Sequence, residues 1–448
     1  MKNTLFLLCF LAFSLPATGQ KPRLLVTTDL GADPDDQQSL VRLMVYSNEF
    51  EIEGIIVSSN GTKGDLKEGQ IKPEFATEIL RGYQSVYPNL LLHDQHFPSP
   101  ESLFAVLKNG NPNRGWEYVG AGYDTEGSEW IIRQLDKKDS RPLNICFFGG
   151  QTDLAQALWK LKASRSVGEY QQIISKIRIF DINDQDQLFE KIIAQHPGLF
   201  YILAKAPDGF DKREGAYRGM YLGGDESLTS GAWLKANVIE NHGPLGALYP
   251  VNTWTAPNPH GAMKEGDTPS WFYFLENGLH VPEHPEYGSW GGRYQKTKNG
   301  YYRDAQDSLN SEPKARATVY RWRDDYQRDF AARMDWCVLD YANANHQPIA
   351  IVNGHSENSP LEIHAQPGQK VRLRASKSRD PDGDSLHFEW MLYPEAGNFQ
   401  GNIPLPLGAE KATFKLPKLQ NGESIHIILK VTDNGTPGLS SYKRMVIK

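Results

Sequence analysis

The sequence predicts an α/β domain, a mainly parallel sheet with helices on both faces, followed by a C-terminal all-β Ig-like sandwich. Three observations carry this reading. Between Lys21 and about Tyr341, short β-branched runs alternate with amphipathic stretches of helical period, the order expected of a parallel sheet with crossover helices. After Pro348 the pattern changes to short alternating runs split by turns, as in a sandwich. With 448 residues the chain is also long enough for two or more domains. The division read from these patterns is a leader over 1–19, an α/β domain over 20–342, a linker over 343–348 and the sandwich over 349–448.

Met1 to Gly19 carries Lys2, an apolar core from Leu5 to Leu15 and the small-residue pattern Ala17-Thr-Gly19. This is the form of a secretion signal, so the protein is expected to be secreted or periplasmic. No later segment is apolar for long enough to span a bilayer, so no membrane insertion is expected after signal cleavage. Strands are predicted at Arg23–Thr28, Glu51–Ser58, Leu143–Phe148, Lys176–Phe180 and Leu199–Leu203. Helices are predicted at Asp36–Asn48, Glu74–Val86, Ser128–Asp136, Asp153–Lys162 and Gln185–Gln195, with one long helix from Tyr320 to Tyr341 closing the domain. The runs IAIVNG, LEIHA, KVRLRAS, LHFEWMLY, ATFKLP, SIHIILKVTD and SYKRMVIK supply the sandwich strands. Asp380, Asp382 and Asp384 read as an Asp/Gly turn before they read as a Ca²⁺ loop. Cys146 and Cys337 read as separate buried thiols. A net charge of -6 gives no basic patch, and no basic run is interleaved with aromatics, so no nucleic acid polymer is expected as partner.

Residues Thr27 to Leu40, TTDLGADPDDQQSL, place Asp29, Asp33, Asp35 and Asp36 between a buried strand and an amphipathic helix. Asp favours turns and first helical turns, so a capping turn is one reading. A cap needs one acid, and here there are four. Clustered carboxylates repel one another unless a hard cation with oxygen ligands, such as Ca²⁺, neutralises them, and the carboxyl end of a sheet strand is where open α/β folds bind ligands.

This segment resembles the N-terminal signature of the nucleoside hydrolases, and resembles more closely the secreted nucleoside hydrolase-like proteins labelled cellulose-binding. Asp33-Pro34 is an insertion relative to the hydrolase pattern. The resemblance implies Asp29 as metal-ligating general base, Asp36 as a second metal ligand and Asp35 as a sugar-contacting acid, and it leaves Asp33 unassigned. It further implies Asn60, at the end of FEIEGIIVSSN, as a sugar ligand. In FFGGQTDLAQAL it implies the Thr152 carbonyl as a metal ligand, Thr152 being at the same time an ordinary helix N-cap candidate. In Glu265-Gly-Asp267-Thr-Pro-Ser it implies Asp267 as the last acidic ligand. The family's His before that Asp is Gly266 here, which argues for a different aglycone. His260, His242 and Glu126 are the candidate replacement acids.

The stretch from Tyr249 to Tyr302 is rich in Pro, Gly and aromatic residues. Trp254, Trp290, Tyr294 and Tyr301 are candidate platforms for a sugar face. Trp271, within the apolar run to Phe274, reads better as core. The loop Glu283–Arg293 is read as a ligand contact. The leading expectation is a Ca²⁺-dependent hydrolase of O- or N-glycosyl bonds acting on a carbohydrate or nucleoside-like substrate. Asp29 would be catalytic, Asp29, Asp36, Thr152 and Asp267 would hold metal, and Asp35, Asn60, Trp254 and Trp290 would bind substrate. The alternative is a non-catalytic, cellulose-binding protein on the same fold. Fold alone does not choose between them.

Overall fold

The computed structural model describes residues 20–31, 33–61, 70–252, 262–309, 312–420 and 422–448. The predicted signal Met1–Gly19, and Trp254 and His260, lie outside the described residues. Strands β1 (Arg23–Thr28), β2 (Glu51–Val57), β3 (Leu107–Asn109), β4 (Leu143–Phe147), β5 (Ile177–Ile182) and β6 (Phe200–Ala204) run parallel, and β7 (Tyr294–Lys296) and β8 (Tyr302–Asp304) extend the sheet. Their order is β3-β2-β1-β4-β5-β6-β8-β7, with β7 antiparallel to β8. The order reverses at β1, which pairs with β2 on one side and β4 on the other. Connections leaving β1 and β4 therefore diverge, and a crevice opens at their carboxyl ends.

Both faces of the sheet are covered, as its near-continuous apolar strands require. Leu24 and Val26 enter one core with residues of α1 (Pro34–Val45), α2 (Pro73–His93), α3 (Pro100–Val106) and the helix Arg323–Asp335. Leu25 enters the other, under α4 (Glu126–Leu135), α5 (Gln151–Ser164), α6 (Val167–Ile174) and α7 (Phe189–Gln195). Three predicted helices differ markedly in extent, and the one expected over Glu74–Val86 runs on from Pro73 to His93. The one expected from Gln185 begins at Phe189, because Asn183, Asp184 and Gln187 take φ of 71°, 52° and 58°, outside the helical range. The one expected over Tyr320–Tyr341 is two helices, Ala317–Tyr320 and Arg323–Asp335, broken at Trp322 with φ -103° and ψ 3°. Cys146 and Cys337 are free and buried. Among the described residues no helix is long and apolar enough to cross a membrane.

The C-terminal part packs a four-stranded sheet on a two-stranded one. After the hairpin of β9 (Asp307–Leu309) and β10 (Glu312–Lys314), the first comprises β11 (Leu361–Ile363), β16 (Ser440–Ile447), β15 (Ile425–Thr432) and β13 (His387–Leu392), and the second β12 (Lys370–Arg374) and β14 (Lys411–Lys415). The run IAIVNG contributes only isolated bridges, Ile349 to Arg379 and Val352 to His355. In the Asp380–Asp384 loop, Asp380 accepts from the N–H groups of Asp382 and Asp384 at 2.8 and 3.1 Å.

Tyr393, Ala396, Ile428 and Tyr442 of this sandwich belong to the core of the first domain. Two buried carboxylates tie the parts together. Asp307 accepts from Arg293 (2.7 Å), Arg321 (2.5 Å) and Tyr393 (2.7 Å). Asp325 accepts from Tyr442 (2.5 Å) and Ser440 (3.2 Å) and pairs with Lys430 (2.5 Å). Replacing Asp325 with Ala strips one member from a buried ionic group and leaves Lys430 and Tyr442 without their acceptor. Asp325→Ala is expected to lower stability by about 3–5 kcal/mol, read as the shift of a urea unfolding curve. A loss below about 1 kcal/mol, the level of an exposed pair, would show that the junction does not depend on this carboxylate.

Candidate functional site

The pocket opens at the switch point of the sheet. Its volume is about 120 Å³, and Asp29, Asp33, Asp35, Asp36, Asp267, Lys264, Arg218, Tyr217, Ile182, Asn183 and Gln185 line it. Asp29 follows β1 directly. Asp33 is the N-cap residue of α1 but makes no capping bond, and Pro34 fills the first helical position, where a missing N–H costs nothing. The Asp33 carboxylate pairs with Lys264 instead. Asp35 and Asp36 then fall in the first turn, where the helix dipole favours negative charge. The Thr28 hydroxyl donates to Asp36.

Asp267 arrives from the other side of the domain on a segment locked by Glu265. Glu265 is fully buried and accepts from Arg42 (2.5 and 3.0 Å), Tyr249 (2.5 Å) and Thr268 (3.0 Å). Carboxylate oxygens of Asp35, Asp36 and Asp267 thereby come within 4.8 Å of one another. The Oδ2 of Asp267 is buried without a hydrogen-bond partner among the described residues. Asp29 sits against the turn after β4, so close that a Cβ on Gly149 would meet its carboxylate at 2.7 Å. Arg114 stands 4.0 Å from its Oδ2.

Burial sets the electrostatics. It pushes the Asp29 pKa up to about 7, with Arg114 opposing and the Asp35 charge adding to the rise. Asp36 and Asp267 are held well above the usual carboxylate range, first by burial and then by the neighbouring acids. Asp35 is raised by burial, against the pull of Lys264, which lies 3.5 Å away. Burial would lower Lys264, but Asp35 and Asp33 outweigh it and hold its pKa above normal.

Among the residues singled out from the sequence, Asp29, Asp35, Asp36 and Asp267 meet in this pocket, and the unassigned Asp33 joins them. Asn60 and Thr152 do not line it. Asn60 is buried beyond β2, its Oδ1 without a partner among the described residues. Thr152 is not the N-cap of α5. Gly150 holds that position at φ 76°, and Thr152 uses its N–H and hydroxyl to bind Asp186 at 2.9 and 2.7 Å.

The aromatic reading needs correction. Trp290 is 2% exposed, packs on Phe272 and Tyr326, and donates its Nε1 to Tyr442 at 3.2 Å, so it belongs to the domain junction and not to the acidic pocket. Tyr294 is buried on Phe180, and Tyr301 packs on Phe189. Trp271 is core, as its apolar run suggested. In the Glu283–Arg293 loop, Arg178 pairs with Glu283 and Arg444 donates to the Gly288 carbonyl, away from the acidic pocket, while Glu283, His284 and Glu286 keep exposed side chains. The candidate acids also lie elsewhere: His242 binds Asp335 at 3.2 Å, and Glu126 pairs with Lys108 at 3.2 Å.

Sequence reasoning missed Lys264, Arg218, Tyr217, Asn183 and Gln185. Arg218 donates to the hydroxyls of Tyr217 (2.9 Å) and Tyr221. A Cβ at Gly266 would lie 3.2 Å from Asp35 Oδ2 and 3.4 Å from the Tyr217 ring. A side chain there would thus enter the pocket, and Tyr217 occupies its flank. The only sequence signal for these residues was the adjacency of Lys264 to Glu265-Gly-Asp267.

The raised Asp29 pKa has a thermodynamic consequence. Between its ordinary value of 3.8 and about 7, the folded protein retains a proton that the unfolded chain has released, so stability falls as pH rises through that window. With cations removed, wild type is expected to lose on the order of a few kcal/mol more than Asp29→Asn across that window, followed by thermal unfolding at a series of pH values. Parallel curves for the two proteins would contradict the raised pKa.

Residues 23–294 match the family model described as the nucleoside hydrolase-like domain of cellulose-binding Sde182, and residues 370–448 match that of the C-terminal domain of cellulose-binding protein Sde0182. Among solved structures, a nucleoside hydrolase-related hypothetical protein from Saccharophagus degradans, associated with carbohydrate metabolism, is 34% identical. It superposes with a TM-score of 0.79 over 96% of this chain and 99% of that one. The effector protein XOO4466 and the type III effector XopQ, the latter solved with adenosine diphosphate ribose, are 9% and 12% identical. Each covers 72% of this chain and 95% of its own, at TM-scores of 0.37 and 0.31, too low to bear on the argument. No curated protein matches the chain.

Proposed function

The chain belongs to the nucleoside hydrolase-like, cellulose-binding family, and from that premise we propose that it is a secreted or periplasmic, Ca²⁺-dependent hydrolase of glycosidic bonds in a carbohydrate or nucleoside-like substrate. The observation that carries this reading is the convergence of Asp35, Asp36 and Asp267 within 4.8 Å, with Asp29 lining the same pocket. The donor set fits a hard cation. It is all oxygen, its members repel one another, and Asp267 Oδ2 is a buried acceptor with no partner among the described residues. Asp29, Asp36 and Asp267 would hold the ion, with Asp35 near enough to join. When bound, such an ion neutralises the carboxylates and acidifies a coordinated water.

Asp29 is the proposed base. In the cation-free pocket burial raises the Asp29 pKa to about 7, and a coordinated cation would draw it down and share the task of releasing the water's proton. Arg114 stabilises its resting anion. Gln185, Asn183 and Arg218 offer donors to sugar hydroxyls, and Asp35 an acceptor. Because Gly266 brings no side chain, Tyr217 and Lys264 are the donors on that side for the leaving oxygen. A second reading, carbohydrate binding without turnover, is favoured by the pairing of Lys264 with both Asp33 and Asp35, which ties down that donor.

Chelation is expected to lower the melting temperature and Ca²⁺ to restore it, since a cation that binds only the native state stabilises it by mass action. The recovery should be larger at about pH 8 than at about pH 5, because the ion must displace protons from carboxyl groups of raised pKa. A melting temperature indifferent to EDTA would sink the metal reading. On any glycoside that the wild type cleaves, Asp29→Asn is expected to lose ~10²–10⁴ in turnover with affinity largely kept. Equal turnover by both proteins would remove Asp29 as base, and a wild type that binds saccharides without cleaving any would favour the second reading.

A further inference from the structure

We propose that His93, His346 and Asp382 form a proton-operated clasp that holds the linker to both domains, closed while the two rings share one extra proton and loosened when that proton is lost or a second is added. His93 is the last residue of α2, His346 lies in the linker, and Asp382 belongs to the Asp380–Asp384 loop of the sandwich. One chain of hydrogen bonds joins them. His93 Nε2 meets the Leu339 carbonyl at 3.0 Å, His93 Nδ1 meets His346 Nε2 at 2.9 Å, and His346 Nδ1 meets both Asp382 oxygens at 3.0 Å. The His346 backbone N–H also donates to Asp382, at 2.8 Å, and that bond does not depend on the ring.

A count of protons fixes the charge. A carbonyl and a carboxylate only accept, so His93 Nε2 and His346 Nδ1 must both carry hydrogen, and the ring-to-ring bond needs a third. Two neutral imidazoles carry one N–H each, so the chain is complete only with one proton more than a neutral pair has. A second extra proton would set N–H against N–H between the rings. Burial draws the His93 pKa down, which leaves His346 as the ring protonated on both nitrogens. Its surroundings suit a cation: Tyr341 stacks on it at 3.8 Å and Trp336 at 5.2 Å, and aromatic faces attract positive charge. Asp382 supplies the counter-charge, and the C-terminal end of α2 adds a favourable dipole. Among the other ionisable groups around the rings, Asp340 favours a proton on His93, and the Asp380 charge reaches Tyr341. Arg333 stands 5.1 Å from the Trp336 ring but is engaged by Asp329 and Glu49, and Asp94 is engaged by His96.

The resulting pH dependence is bell-shaped. In the unfolded chain both rings titrate at about pH 6.5, binding two extra protons well below that value and none well above it, while the closed clasp binds one throughout. The contribution to stability therefore rises with pH below about 6.5, where the unfolded chain binds more protons, and falls with pH above it, where the native state binds more.

The test is hydrogen exchange of the full chain over peptides spanning 90–96, 339–347 and 379–385, read by mass spectrometry at about pH 5, 6.5 and 8.5 and corrected for the intrinsic pH dependence of exchange. Wild type is expected to be most protected at about pH 6.5 and to lose about tenfold in protection at about pH 8.5, the effect of one charged hydrogen bond. Asp382→Asn separates a proton clasp from a structural contact. Its amide oxygen can accept the His346 backbone N–H while its NH₂ donates to His346 Nδ1, so two neutral rings complete the chain and protection should hold at about pH 8.5. Ring ¹⁵N spectra of wild type at about pH 6.5 need no folded variant at the carboxylate, and should show the His346 ring, identified by its loss in His346→Gln, protonated on both nitrogens. The proposal is overturned if wild-type protection in these peptides is the same at the two higher pH values, if Asp382→Asn loses as much as wild type between them, or if the His346 ring is neutral in the spectra.

Discussion

Arg42 lies fully buried in α1 and grips Glu265 through two hydrogen bonds of 2.5 and 3.0 Å. It also donates to Gln327 at 2.6 Å and stacks on Phe330 at 3.8 Å. Taking both charges out of water carries a large desolvation cost, offset only when the remaining donors and acceptors are filled. Here Tyr249, Thr268 and Gln327 fill them. The pair fixes the distance between two parts of the chain that would otherwise be independent. Asp35 stands about two helical turns before Arg42 on α1, and Asp267 stands just after Glu265. Holding Arg42 on Glu265 therefore holds one set of carboxylates against the other. Glu265 itself takes φ 33°, a conformation uncommon outside glycine, which the surrounding bonds sustain.

The sandwich is part of the same construction. Tyr442 and Tyr393 enter the core of the α/β domain, and their hydroxyls end on Asp325 and Asp307. Arg444, buried on β16, donates to the carbonyls of Leu279 and Gly288 in the segment that follows the short helix Thr268–Phe272. The same segment packs Tyr273 on Phe180 of β5 and Trp290 on Tyr442 of β16, so the sheet and the second domain together bury the aromatics that read as ligand platforms.

The local part of this architecture could be read from residues alone. β1, its acidic turn and α1 form a continuous strand–loop–helix pattern, and the turn after β4 repeats that logic, so Asp29, Asp35 and Asp36 were recoverable from period and composition. Asp267 came from resemblance, not from spacing. The remainder depends on contacts across the fold: Lys264 meets Asp33 from 231 residues away, and no local pattern encodes such a pairing. Trp290 and Tyr294 show the same limit from the other side. An aromatic cluster on Gly/Pro-rich loops has one composition whether it faces solvent or packs inside, and contacts distant in sequence decide which: Tyr442 of β16 for Trp290, Phe180 of β5 for Tyr294. Thr152 looked like a cap because Thr often is one. Gly150, in the left-handed region, takes that role and turns the Thr152 hydroxyl toward Asp186.

The inserted Asp33-Pro34 divides the labour among the acids. Proline starts α1 at its first position, so Asp33 is freed from capping and reaches Lys264. Lys264 also lies 3.5 Å from Asp35, and the Arg218 charge acts on Asp35 as well. The outer carboxylates thus have resident cations. Among the described residues Asp36 and Asp267 receive none of comparable proximity: Asp36 has the Thr28 hydroxyl, and Asp267 keeps an oxygen without a hydrogen-bond partner. Asp29 has Arg114 at the edge of ion-pair range. Such an inner set is left with two ways to shed its repulsion, protons or a multivalent cation. The first is what the raised pKa of each inner acid records, and the second exchanges those protons for an ion. Burial first, and the neighbouring acids after it, therefore hold a proton on Asp29 near neutral pH until a cation takes its place.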